Sequence, residues 1–278
     1  MVPQTPTDPA MADYSFSLDT LKQRARDLGP VYRSAQPFPH IYIDDFFAPE
    51  AVEAALAEFP DKDKIRWQQF NAPQEVKLAS RDERTMGSAA RRLIWEMHSQ
   101  PFIEFLEELT GIQGLVADPH LSGGGLHQIL RGGKLGVHID FNKQPKLRLD
   151  RRLNLLLYLN KDWKEEYGGH LELWNKDMTR CEKRILPIFN RVALFSTSEG
   201  SYHGHPDPLQ CPEGWSRKSI ALYYYTNGRP EEEQAGEHST VFRSRPGEVL
   251  EKQRTPLRAT DFVPPIVTRA VKRMLGRS

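Results

Sequence analysis

Cysteine is scarce in this 278-residue chain, with two residues in all, Cys181 and Cys211. That excludes a small scaffold held together by disulfides and points to a reducing compartment, so the expected location is cytoplasmic. Long apolar runs are also missing, and no stretch approaches the roughly 18 residues needed to cross a membrane. Residues 1–15 are rich in Pro and Thr and lack a basic segment followed by an apolar one, so no secretory signal is expected. Neither sign of charge is in excess: 38 Lys and Arg oppose 37 Asp and Glu, for a net charge of +1. Such balance gives no general attraction to nucleic acid or to an anionic membrane. Solenoid-type repeats are absent. What is left is an ordinary soluble composition with enough length for a sizeable core.

The pattern of that length changes near Gly111. Residues 1–15 are expected to be disordered, and 16–111 to form a mainly helical buttress. Helical spacing marks 17–28, with Ser17 as N-cap and Gly29 as stop. It also marks 49–58, opened by Pro49, then about 87–98 and 101–110. Residues 38–47 read as a short strand running into a turn, and 61–84 as loop with short strands. From 112 to 228 short apolar runs alternate with Gly, Pro, Asn and Asp, giving strands at 126–130, 135–139, 152–159, 170–174, 184–188, 191–196 and 219–225. No helical period separates them, which disfavours parallel βαβ units and favours an antiparallel sandwich or barrel. The expected fold is α+β: a double-stranded β-helix, or jelly roll, buttressed by the N-terminal helices. Residues 229–278 form a C-terminal extension with an amphipathic helix near 264–275.

The segment 132–140, Gly-Gly-Lys-Leu-Gly-Val-His-Ile-Asp, sets His138 and Asp140 two residues apart in an expected strand, where such side chains share a face. An imidazole and a carboxylate converging on one point, joined by a second histidine, make the facial triad of non-haem Fe(II) oxygenases. His-x-Asp alone is weak, and the chain holds a second copy, His205-Pro206-Asp207, and a near copy, His170-Leu171-Glu172. Pro206 interrupts strand pairing in the second copy. For the third ligand the candidates are His127, His170, His203 and His205. His203 is best placed, because it follows the apolar run 192–195 and stands 63 residues after Asp140, leaving room for intervening strands. Further on, Arg217, Ser219 and Ala221 share a face of a strand that begins with a cation. A buried unpaired charge is expensive, and a guanidinium matches a carboxylate in bidentate geometry. A dicarboxylate co-substrate therefore suits Arg217, with Ser219 adding a hydroxyl. Lys218 is a fallback on the opposite face, and an Arg217 with its head in water is the plainer alternative.

In this order, His-x-Asp, distal His and strand-initial Arg resemble the 2-oxoglutarate/Fe(II)-dependent dioxygenase superfamily, and more narrowly its prolyl 4-hydroxylase-like branch. Three further stretches carry the likeness: 151–163 with its Tyr-Leu-Asn-Lys-Asp-Trp ending, the Tyr-Gly-Gly-His-Leu of 167–171, and 187–195 leading to the distal His. The resemblance covers about 112–228. It implies that His138, Asp140 and His203 bind Fe(II) and that Arg217 holds the distal carboxylate of 2-oxoglutarate. Tyr158 matches a tyrosine that hydrogen-bonds the same carboxylate, with Asn154 alongside. Gln128, ten residues before His138, replaces a family tyrosine near the co-substrate. The fourteen residues from His203 to Arg217 exceed the family's spacing, and the loop 207–215 absorbs the excess. The implied reaction uses O2 to hydroxylate an unactivated C–H bond and releases succinate and CO2. Asp140 itself favours hydroxylation, since halogenating relatives lack that carboxylate. A small-molecule or peptidyl substrate (peptidyl prolyl, amino acid or metabolite) is expected, with no nucleic acid and no set oligomeric state. The lid would come from 67–84 and 117–125, with Asp118, His120 and His127 as candidate substrate contacts. The competing expectation is a non-catalytic jelly-roll module that binds a sugar or a peptide.

Overall fold

The computed structural model describes residues 14–249. In chain order its elements are α1 (Leu18–Ser34), β1 (His40–Ile43), α2 (Pro49–Ala57), β2 (Gln68–Ala72), β3 (Glu75–Ser80), α3 (Ser88–Met97) and α4 (Gln100–Thr110). There follow β4 (Val116–Ala117), β5 (Gly125–Leu130), β6 (Lys134–Ile139), β7 (Asp150–Tyr158), β8 (Leu171–Trp174) and β9 (Cys181–Ile185). The last are β10 (Val192–Ser196), β11 (His203–His205), β12 (Ser216–Thr226) and β13 (Val241–Phe242).

Alternation along the central strands divides the molecule into two cores. Leu153, Leu155 and Leu157 of β7, Val192 and Leu194 of β10, and Ile220, Leu222 and Tyr224 of β12 all face the helices. There they pack with Ala25 of α1, Val52 of α2, Leu93 of α3 and Phe102 of α4. Each such aliphatic side chain contributes roughly 1.5–3 kcal/mol when fully buried, which is what keeps the helices on the sheet. The opposite faces of the same strands, with Tyr158, Ala193 and Phe195, meet Leu171, Leu173 and Ile185 inside the β structure. The jelly roll expected from the strand pattern is the fold adopted. Its strands pair antiparallel in the order β1-β10-β7-β12-β5-β3-β6-β11-β8-β9.

Four departures from the sequence expectation have physical causes. Helix α1 runs through Gly29 and Pro30 to Ser34 rather than stopping at Gly29. At Gly29 a Cβ would lie 3.3 Å from the Leu109 carbonyl, so glycine here allows a close helix crossing. Arg33 extends the contact by donating to the carbonyls of Glu108 and Leu109 at the end of α4. Within the expected loop at 61–84, β3 is a full member of the barrel, pairing with β5 through Leu78–Ser80 and with β6 through Glu75 and Val76. Strand β9 covers Cys181–Ile185, earlier than the apolar residues 185–188 suggest, because an edge strand can be polar on its outer face. The third histidine lies in a short strand of its own, β11. Both cysteines are free. Residues 1–13 and the expected helix at 264–275 lie outside the described residues.

Candidate active site

Antiparallel register creates the central cluster. Strands β6 and β11 pair with His138 opposite His203, which brings the two rings to 4.4 Å between centroids. Their Nδ1 atoms lie 2.9 Å from the carbonyls of Gly136 and Ser201, respectively. A carbonyl only accepts, so each Nδ1 carries the proton and each Nε2 is left with a bare lone pair. Both lone pairs face Asp140, with His138 Nε2 at 3.5 Å from Oδ1 and His203 Nε2 at 3.3 Å from Oδ2. Three acceptors thus face one another within 4.8 Å, and this is the one such group among the described residues. Acceptors without a donor between them call for a cation, and a set of two nitrogens and one carboxylate suits a divalent iron. Burial alone would raise the Asp140 carboxyl, but the Arg151 guanidinium beside it holds it well below the usual carboxylate range. Burial, and then His203, push His138 below ordinary histidine.

The far end of the same cavity has the opposite character. Arg217 of β12 is only 4 % exposed and has no carboxylate partner among the described residues. Its Nε donates to Gly169 O at 2.8 Å and its NH2 group donates to the Tyr158 hydroxyl at 3.2 Å. Burial lowers the Arg217 pKa, opposed by Tyr158. The Tyr158 hydroxyl is itself raised by burial, with Arg217 acting against the rise. Gly169 is required at its position: its φ is +74°, and a Cβ would stand 3.0 Å from Arg217 Cδ. A buried guanidinium with spare N–H groups and no anion is a receptor for one. The cavity of about 360 Å³ joins His138, Asp140 and His203 to Arg217 and Ser219. On β7 the cavity is lined by Asn154 and Leu156, and Tyr158, about 13 Å along the strand from Asn154, stands behind Arg217.

Residues 124–256 match the family model described as the 2OG-Fe(II) oxygenase superfamily. Over that segment, just under half of its length, the chain is similar to that superfamily. Among curated proteins, prolyl 3-hydroxylase OGFOD1 of Mus musculus is 32 % identical over 79 residues, covering 27 % of this chain and only 14 % of that protein. Among solved structures, a prolyl 4-hydroxylase of Pseudomonas putida gives a TM-score of 0.52 at 16 % identity, over 72 % of this chain and 100 % of that one. A prolyl hydroxylase of Trichoplax adhaerens, solved with a hypoxia inducible factor peptide fragment, also gives 0.52, at 18 % identity over 77 % and 94 %. These two likenesses are of fold.

The structure brings His138, Asp140, His203, Arg217, Tyr158, Asn154 and Ser219 to or beside one cavity. Gln128 is not among them. On β5 the side chains of His127 and Ile129 line the cavity, and the period of two turns Gln128 to the other face, where Nε2 donates to Ser216 Oγ at 3.0 Å. Lys218 shares that outer face, with Nζ at 2.8 Å from the same oxygen. His170 sits instead against Glu165, at 2.8 Å. Asp118 builds the 118–122 loop by accepting from the backbone N–H groups of His120 and Ser122, while His120 points to solvent. Of those three candidate contacts, only His127 lines the cavity.

Arg151 is the residue that the motif reading passed over. Asn154 Nδ2 donates to Asp140 Oδ2 at 2.7 Å, Arg151 NH2 stands 3.0 Å from the same oxygen, and Arg151 Nε donates to Asn154 Oδ1. The guanidinium lies between the rings of Tyr223 and Phe141, 3.5 and 4.5 Å from their centroids. By alternation from Asn154, Arg151 belongs on the helix-facing side. A bulge sets it inside: opposite β12, Tyr224 pairs with Leu153 but Tyr225 pairs with Arg151. The doublet Arg151-Arg152 opening an apolar strand was the available signal, since a charge there has to be buried or turned out.

Proposed function

We propose that this protein is an Fe(II)- and 2-oxoglutarate-dependent dioxygenase that hydroxylates a C–H bond. The observation that carries the reading is one cavity with a cation-seeking triad at one end and an anion-seeking Arg217 at the other. A bound iron would supply the oxygen-activating chemistry, coupled to decarboxylation of 2-oxoglutarate to succinate and CO2. The protein's residues do the rest. His138, Asp140 and His203 hold the metal on one face, and the Gly136 and Ser201 carbonyls fix both imidazoles in the tautomer that presents Nε2. Arg151 and Asn154 hold the Asp140 carboxylate in place. Arg217, with the Tyr158 hydroxyl, orients the co-substrate through its distal carboxylate, and Leu156, Leu171 and Phe195 keep water from the path between the ends.

The proposed substrate is a peptidyl prolyl residue, with an amino acid or small metabolite as the broader class. The named relatives, a prolyl 3-hydroxylase and prolyl 4-hydroxylases, support this choice. Gln68, Phe70, Arg81 and Thr240 line the solvent side of the cavity, where a peptidyl substrate would enter. A cytoplasmic location is proposed from the two free cysteines. The test is an anaerobic titration with Fe(II) and 2-oxoglutarate, following the metal-to-ligand charge-transfer band. The band should form with the native protein and vanish in His138→Ala, Asp140→Ala and His203→Ala. Persistence in all three variants would place the metal elsewhere. Binding of a sugar or peptide without any such band would favour the non-catalytic module.

A further inference from the structure

Two histidines of the cavity, His127 and His205, have no place in the triad. The Nε2 of His127 lies 3.1 Å from the Gly123 carbonyl, so one of its nitrogens is already engaged. His205 differs. It is 4 % exposed, and both ring nitrogens are buried without a hydrogen-bond partner. Leaving a buried polar group unmet is costly, and such groups in a native fold call for a partner.

The register says where that partner would sit. Strand β11 pairs with β8 through His203 opposite Leu173 and Gly204 opposite Glu172, which leads His205 toward Leu171, and its own register partner on β6 is Leu135; all three line the cavity. Two residues before Leu171 is Gly169, whose carbonyl holds Arg217 Nε. His205 therefore stands at the Arg217 end of the cavity, two residues past His203. The donors there are spoken for or single. Arg217 already directs Nε to Gly169 and NH2 to Tyr158, Lys77 is paired with Glu75 at 3.0 Å, His127 is engaged with Gly123, and Ser219 offers one hydroxyl, while Ile129, Leu135, Leu156 and Leu171 offer none. A carboxylate presents about four lone-pair sites.

Building on the proposed dioxygenase reading, we infer that His205 donates an imidazole N–H to the distal carboxylate of 2-oxoglutarate, completing the receptor formed by Arg217 and Ser219. His205 is thus a binding residue for the co-substrate, and it does not act on the metal. A hydrogen bond to a charged group of this kind is worth roughly ten- to a hundredfold in affinity.

The experiment is calorimetry on the full-length protein loaded with Zn(II), with 2-oxoglutarate and oxalate as separate probes. Oxalate can chelate the metal but has no distal carboxylate. His205→Leu should weaken 2-oxoglutarate at least tenfold and leave the affinities for oxalate and Zn(II) unchanged. His205→Gln, which keeps an N–H, should stay within about threefold of the native protein. Equal 2-oxoglutarate affinity in His205→Leu overturns the inference, and so does an equal loss for oxalate, which would mean that the change acts through His203. Failure of the native protein to bind 2-oxoglutarate overturns the dioxygenase reading itself. Should His205→Leu not fold, the native protein decides. Its His205 ring ¹⁵N resonances, assigned by their loss in His205→Gln, should shift when 2-oxoglutarate is added, and an unmoved signal overturns the inference.

Discussion

Arg151 and Asp140 form an ion pair with little access to water, and its worth depends on whether a metal is present. Among the described residues, Arg151 is the one guanidinium or ammonium that touches the carboxylate. Removing one partner of such a pair costs about 3–5 kcal/mol. Arg151→Met should therefore destabilise the metal-free protein by about 3 kcal/mol in urea unfolding. Saturating Zn(II) should recover much of that loss, because the cation then serves as the counter-charge. At the other end, Tyr158→Phe takes away the hydroxyl that receives Arg217 NH2. It should weaken 2-oxoglutarate several-fold in the calorimetric titration, with Zn(II) affinity unchanged. The sequence disclosed His138 and Asp140 because a period of two is a local property. It misled at Gln128, where counting back from His138 crosses a turn and the face is set by pairing with β12. It was silent on Arg151, because one extra residue in a bulge reverses the face and leaves no mark in the composition.

The short strand β11 depends on a residue without a side chain. A Cβ on Gly204 would meet the carbonyls of Gly136 and Leu135 at 2.7 and 2.8 Å, both of them backbone. Gly204→Ala must therefore push β11 away from β6 and separate His203 from His138. The expected result is at least a tenfold loss of Zn(II) affinity in a chelator competition assay. A fall in melting temperature should accompany it, in line with the roughly 1–3 kcal/mol of overpacking. Helices α2, α3 and α4 were legible because proline starts, glycine stops and apolar spacing agree with the packing. Strand β3 was not, since four of its six positions are only half-buried. What makes it a strand is two partners far along the chain.

For the molecule as a whole, histidines clear of the triad set a pH dependence. Burial is the largest cause that lowers His40 and His127 below ordinary histidine. The unfolded chain, with histidines near 6.5, then binds protons that the folded chain refuses. Stability should therefore be fully present above about pH 6.5 and fall as pH drops through that value, by about 1.4 kcal/mol per pH unit for each fully unmatched proton. Urea unfolding of the metal-free protein at pH 7.5 and 5.5 should show the decline, and His127→Gln should flatten it.

Because β3 lies between β5 and β6, the barrel is sealed by a segment some fifty residues upstream of the strands it joins. A fragment trimmed to residues 112–249 would keep every triad residue and Arg217, yet it would expose two open strand edges of the kind that recruit neighbouring chains. Such a fragment should elute as aggregate in size-exclusion chromatography and bind no Zn(II) at stoichiometric ratio. The catalytic half is therefore not portable: grafting it elsewhere requires carrying the upstream hairpin with it.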